Sequence, residues 1–195
     1  MKKNIFLYVF SLLIAIFGTA QKRSVFNFSG GLSLLAGWKN NEGNTLLPSI
    51  TLSPGIKFIQ SKNFALVVDL PVTAGWNFKK GTYFGIDVPL MLNLNFGSAA
   101  ANNDSARFGI LIGAGLGYTN LANYEVVNTS PITQTHITGH TEFWGYRFKL
   151  GASFNARKNN GNAPAIVFNF GKSINSNQGY LAGISLLLML NLNYQ

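Results

Sequence analysis

The sequence predicts an all-β protein: an eight-stranded antiparallel up-and-down transmembrane β-barrel over residues 21–195, behind a signal peptide at 1–20. Three observations predict it. Eight stretches alternate apolar with small or polar residues, and in each the apolar set falls on even-numbered positions. A period of two is the strand signature. The stretches run to about 12–14 residues, against about 5–6 for a soluble strand, and that length crosses a bilayer when tilted. Aromatic residues gather at the ends of the stretches, the pattern of two lipid-facing girdles.

The N-terminus comes first. Lys2 and Lys3 form a basic start, and residues 5–17 are apolar apart from Ser11. Gly18, Thr19 and Ala20 make a small-residue cleavage site, so the mature chain is expected to begin near Gln21. A retained anchor helix is the alternative, but the apolar run is short beside the roughly 17–25 residues of a spanning helix. The chain has no cysteine. That excludes a lipid-anchored cysteine, disulfides and thiolate metal sites.

The strands are expected near 25–37, 46–60, 63–76, 82–96, 106–118, 141–154, 164–174 and 179–194. The first offers Phe26, Phe28, Leu32, Leu34, Ala36 and Trp38 on its even face. The second offers Ile50, Leu52, Ile56 and Phe58; the third reads Phe64, Leu66, Val68, Leu70, Val72, Ala74, Trp76. The fourth runs from Phe84 to Phe96 through Ile86, Val88, Leu90, Leu92 and Leu94. The fifth runs from Phe108 to Tyr118, and the sixth from Trp144 to Phe154. The seventh is the weakest, with Ile166, Phe168 and Phe170. The eighth is the clearest, with Tyr180, Ala182, Ile184, Leu186, Leu188, Leu190, Leu192 and Tyr194. The girdles are expected to comprise Trp38, Phe64, Trp76, Phe84, Phe96, Phe108, Tyr118, Trp144, Tyr180 and Tyr194. A β-sandwich would not need so many consecutive apolar outward positions in each strand.

The odd faces carry Asn27, Ser29, Ser33, Thr51, Ser53, Lys57, Asp69, Thr73, Asp87, Asn93, Asn95, Arg107, Arg147, Lys149 and Ser153. Gly109, Gly113, Gly115 and Gly117 crowd the fifth strand, leaving room for large side chains from opposite walls. Open edges cannot face hydrocarbon, so the sheet must close. An eight-stranded barrel is only wide enough for its own side chains, which disfavours a wide pore.

With both termini periplasmic, the external loops fall at 38–45, 77–81, 119–140 and 175–178, and the internal turns at 61–62, 97–105 and 155–163. The longest, 119–140, holds both histidines and is rich in Asn and Thr. Long loops face outward in bacterial barrels. No further globular domain is expected after Tyr194.

The third and fourth strands share a small repeat, Val68-Asp69-Leu70-Pro71-Val72 and Ile86-Asp87-Val88-Pro89-Leu90. A hairpin turning near Lys79 sets Asp69 opposite Pro89 and Asp87 opposite Pro71. Each proline removes a ladder donor, so a local break is expected. Both carboxylates then point into the lumen and need positive partners. Arg147 and Lys149 point inward at the same height. The expected result is a lumen charge network of Asp69, Asp87, Arg147 and Lys149 that fills the barrel. A gating pair or proton path is the sharper reading of the same four residues.

His136, Thr138, His140 and Glu142, with Ser130 nearby, form a second candidate. A histidine beside a hydroxyl and a carboxylate can activate a nucleophile. No serine stands at close alternating spacing to either histidine, so a solvated polar loop is the plainer reading. His136 and His140 are four apart, but Gly139 between them argues against a helical metal site. Neither a catalytic residue, a metal nor a cofactor is expected.

Tyr83-Phe84-Gly85-Ile86-Asp87-Val88-Pro89-Leu90-Met91-Leu92 resembles the Y-L-E-I-P-L-L-L strand of the outer-membrane β-barrel family common in Bacteroidetes, with Asp87 where that family often has Glu. The end, Leu190-Asn191-Leu192-Asn193-Tyr194-Gln195, is similar to a barrel-assembly signal closing on an aromatic, with one residue added. The resemblance implies a small porin-family barrel of the OmpA/OmpX kind in the bacterial outer membrane, inserted by the barrel-assembly machinery. It implies no particular activity, because that family is defined by fold.

Formal charge is +9, or +7 once Lys2 and Lys3 are removed. Charged residues are only 11% of the chain and are scattered, which excludes a nucleic-acid surface. The expected partners are outer-membrane lipids, and the expected state is a monomer. The leading functional expectation is a structural or surface-interaction barrel with a filled lumen, and not an enzyme. A narrow channel or small-solute transporter is the alternative, and a lipid-modifying enzyme at the rim a third.

Overall fold

The computed structural model describes residues 26–39, 42–61, 64–77, 83–100, 106–129, 132–155, 163–174 and 179–191. The signal peptide, the Gln21 start, Lys79 and Tyr194 lie outside them. In chain order the strands are β1 (Phe26–Lys39), β2 (Glu42–Gln60), β3 (Phe64–Asp69), β4 (Val72–Asn77), β5 (Tyr83–Gly97), β6 (Phe108–Thr129), β7 (Ile132–Phe154), β8 (Ala163–Ser173) and β9 (Gly179–Asn191). Pairing is antiparallel between chain neighbours, and β1 pairs with both β2 and β9, so the sheet is a closed ring. Segments β3 and β4 both sit between β2 and β5 and form one wall. The protein is an eight-stranded antiparallel transmembrane β-barrel.

Parity decides the faces. Leu32, Ile112 and Leu188 are exposed on the outer surface, while Val67, Met91 and Leu181 are fully buried in the lumen. Strand geometry alone produces this, since successive side chains point to opposite faces. A bulge between Lys57 and Ile59 breaks the alternation near the end of β2 and turns Ile59 outward. Arg107 was expected in the lumen but is exposed. It precedes β6, so strand parity does not govern it.

The wall breaks at Leu70 and Pro71, and the register there differs from the expected one. Asp69 lies opposite Met91, and Thr73 opposite Asp87. The two ladders share one register, so Pro71 falls opposite Pro89. The expected pairings of Asp69 with Pro89 and Asp87 with Pro71 are two residues out. The Leu70 amide donates to the Pro54 carbonyl at 2.9 Å. Backbone direction alternates, so Pro71 faces β5, where neither proline has an N–H to exchange. That missing pair of bonds divides one wall into β3 and β4.

Two connections also differ from expectation. The described residues of the stretch 119–140 are strand, not loop. The β6–β7 ladder continues from Phe108↔Phe154 to Thr129↔Ile132. Pairing of β5 with β6 stops at Leu121, and pairing of β7 with β8 at Gly145. The remainder is a two-stranded ribbon beyond the barrel rim, about 25 Å long for the eight residues 122–129. Val126, Val127, Thr133, Thr135 and Ile137 are β-branched, which favours strands even without an apolar face. The stretch 38–45 is likewise mostly ladder, with Lys39 opposite Glu42.

Candidate functional site: a charged lumen between two apolar stoppers

The middle of the lumen is polar. Arg147 from β7 meets Asp87 from β5, with Nη2 at 3.0 Å and Nε at 3.3 Å from Oδ1. Thr119 of β6 donates to the same oxygen at 2.6 Å, and Arg147 also donates to Thr119. The Lys149 ammonium lies 2.7 Å from Asp69 Oδ2, which also accepts from Ser53 at 3.1 Å. The four sequence-singled residues therefore form two ion pairs, and all four are buried. Burial makes each pair depend on its hydrogen-bond partners, because an incompletely satisfied buried charge is costly. Thr119 was missed as a partner because it was assigned to a loop.

Space for Arg147 does not come from the glycines of the fifth predicted strand. A Cβ at Gly145 or Gly171 would stand 2.7 or 2.8 Å from the Arg147 guanidinium. Those two glycines flank the arginine from its own strand and from β8. Gly113, Gly115 and Gly117 instead accommodate Asn93, Met91 and Pro89. The guanidinium also lies over the Phe143 ring, 5.2 Å from its centre, within cation–π range.

A belt of small polar groups continues the network round the wall. Asn169 donates to Ser185 at 3.5 Å, Ser33 to Ser185 at 2.8 Å, and Ser33 and Thr51 share a bond at 2.6 Å. Thr51 and Thr73 share another at 2.8 Å, and Thr73 stands opposite Asp87 in the ladder. Each wall thus contributes a polar side chain; the bonds among the small groups run between neighbouring strands, while the two ion pairs reach from β7 to β5 and β3.

Apolar side chains seal both sides of this belt. Toward the ribbon, Leu35, Leu47, Leu121, Phe143 and Leu181 form one buried cluster. Leu121 reaches across the lumen to β1, where a Cβ at Gly37 would collide with its side chain, and a Cβ at its ladder partner Gly85 would stand 2.7 Å from it. At the other end Ala99, Leu111, Ala165, Val167, Leu187 and Met189 form a second cluster, and Ala65, Val67 and Ala100 a third. The connection expected as an internal turn supplies part of this seal. After Gly97, which has a φ of +60°, Ser98–Ala100 makes one 3-10 turn with all three residues buried. Ser98 shares a 2.7 Å hydrogen bond with Ser153, and Gln60 donates to the Ala100 carbonyl at 3.4 Å. Between the seals lies a cavity of about 20 Å³, bordered by Thr73, Asp87, Pro89 and Arg147. That is room for about one water molecule.

The outer face carries the aromatic ends as cross-strand pairs. Toward the ribbon, Trp38 stacks on Tyr180 at 5.9 Å, Tyr118 meets Trp144 at 5.5 Å, and Trp76 stands opposite Phe84. At the other end Phe64 meets Phe96 at 5.4 Å, and Phe108 meets Phe154 at 5.5 Å. The girdles differ chemically: rings with hydrogen-bond donors dominate one rim, and phenylalanine the other. Glu142 is outward and accepts the Tyr118 hydroxyl at 2.6 Å, which turns it away from the lumen. The side chains of His136, His140 and Ser130 lie outside the described residues.

No family model matches this chain, and no curated protein sequence matches it. Solved structures do. Neisserial surface protein A superposes with a TM-score of 0.56 at 11% identity, over 88% of this chain and all of that one. Ail, the attachment invasion locus protein of Yersinia pestis, in its complex with the heparin analogue sucrose octasulfate, gives 0.50 at 10% identity, over 83% of this chain and 97% of the other. Both are small outer-membrane β-barrels, and the likeness is one of fold.

Proposed function

We propose that this chain is a non-conducting barrel of the bacterial outer membrane that works at the cell surface, using its rigid wall to hold the β6–β7 ribbon outside the bilayer. One observation carries the reading: the lumen is blocked twice, by the Leu121 cluster and by the apolar packing around Ser98–Ala100, with paired charges between. A solute passing through would have to displace both seals and break buried ion pairs. The ribbon is the largest feature outside the barrel wall among the described residues, which favours a surface-interaction role over transport. The strand at residues 83–92 supports a place among Bacteroidetes-type barrels. Outer-membrane lipids and the barrel-assembly machinery are its partners on this reading, and the ribbon rim faces outward.

Two measurements test it. Purified protein in planar bilayers should show no stable stepwise current, and large regular steps would establish the channel reading instead. An epitope inserted between Ser130 and Pro131 should be stained by antibody on intact cells. Staining only after permeabilisation would place the ribbon on the wrong side.

A further inference from the structure

We infer that the row Tyr146, Lys172, Tyr180 and Trp38 is a binding site for the anionic phosphate headgroup of a membrane lipid. The inference rests on the outer-membrane reading above. The four residues occupy one continuous cross-strand row: Tyr146 opposite Lys172, Lys172 opposite Tyr180, and Tyr180 opposite Trp38. All have even parity and face outward from β7, β8, β9 and β1. Lys172 is exposed on this surface, where nearly all its neighbours are apolar or aromatic. A cation on the lipid face is tolerated near the interface and penalised toward the midplane, so Lys172 marks the headgroup level.

The ammonium is not simply extended into water. Its Nζ lies 5.9 Å from the centre of the Tyr180 ring, and that ring is stacked on Trp38 at an interplanar angle of 16°. The rings hold the charge within the row. The two tyrosine hydroxyls and the indole N–H can donate to phosphate or glycerol oxygens beside it. Charge also selects this sector. In the neighbouring sector, β6 and β7 present Glu142 bonded to Tyr118, which repels an anion. The lipid phosphate therefore belongs on the β8–β9 side.

The test uses full-length mature protein in detergent, titrated with phosphatidylglycerol or phosphatidylcholine and read by native mass spectrometry. Heat-modifiable gel migration confirms that each variant is folded. The wild type should retain phosphatidylglycerol in preference to phosphatidylcholine. Lys172→Gln should weaken phosphatidylglycerol retention about fivefold, the weight of one basic residue at a membrane surface. Lys172→Arg should restore it. Arg107→Gln makes the same charge change at the opposite rim and should leave it intact. Unchanged retention in Lys172→Gln, or an equal loss in Arg107→Gln, would overturn the site. None of these results bears on conductance or ribbon exposure, so the lipid site and the surface reading fail separately.

Discussion

Arg147 and Asp87 meet 3.0 Å apart at the centre of the lumen, from strands separated by β6, with the Thr119 hydroxyl bonded to both. Changing Arg147 to Ala leaves Asp87 buried without its cation. The expected loss is about 3–5 kcal/mol. Arg107→Ala, at an exposed position, should change stability far less. Removing both charges together, as Arg147→Met with Asp87→Leu, should cost less than Arg147→Ala alone. Urea unfolding in lipid vesicles measures all three, and a neutral Arg147→Ala would refute the account of the network.

Gly171 tests how closely the arginine is enclosed. A Cβ there would stand 2.8 Å from Nη1 of Arg147. Gly171→Val should destabilise the barrel by about 1–3 kcal/mol through overpacking. In the Arg147→Ala background much of that penalty should vanish, because the obstructing group is gone. A double-mutant cycle reads the coupling directly, and strict additivity would show that the two residues do not contend for space.

Parity gives a third expectation. Ile112 and Leu188 are exposed on the outer wall, and each is flanked along its strand by inward residues. Arginine at either position should cost about 2–4 kcal/mol where it reaches the bilayer midplane. The same penalty should fall toward zero for arginine at Phe108, near the rim. Folding titrations into vesicles give the depth profile, and a flat profile would contradict a membrane-spanning wall.

Processing gives the fourth. Intact mass of the purified membrane form should correspond to a chain beginning at Gln21 or a neighbour, with Lys2 and Lys3 absent. A mass that includes Met1 would mean that the apolar segment is retained.

Several features were legible in the chain because they are local. The alternation that turns Leu188 outward and Arg147 inward follows from the geometry of successive residues, and no neighbour is needed to know it. Counting alternating stretches gave the number of walls, and closure followed from the cost of an open edge in hydrocarbon. The odd parity of Asp69, Asp87, Arg147 and Lys149 placed all four on the lumen side before any pairing was known.

Tertiary structure decided what depends on alignment between strands. Register is a sum over every pair in a ladder, so a two-residue slip leaves parity untouched while moving Pro71 from Asp87 to Pro89. The choice of Asp87 for Arg147 and Asp69 for Lys149 followed from that stagger, as did the glycines that make room. The β6–β7 ribbon arose because β-branched residues paired beyond the last turn of the apolar pattern. The Ser98–Ala100 seal arose because a short apolar turn found a buried berth in the mouth of the barrel. A single strand carries its own two faces, but neither its stagger against its neighbours nor the space left between opposite walls exists until the ring has closed.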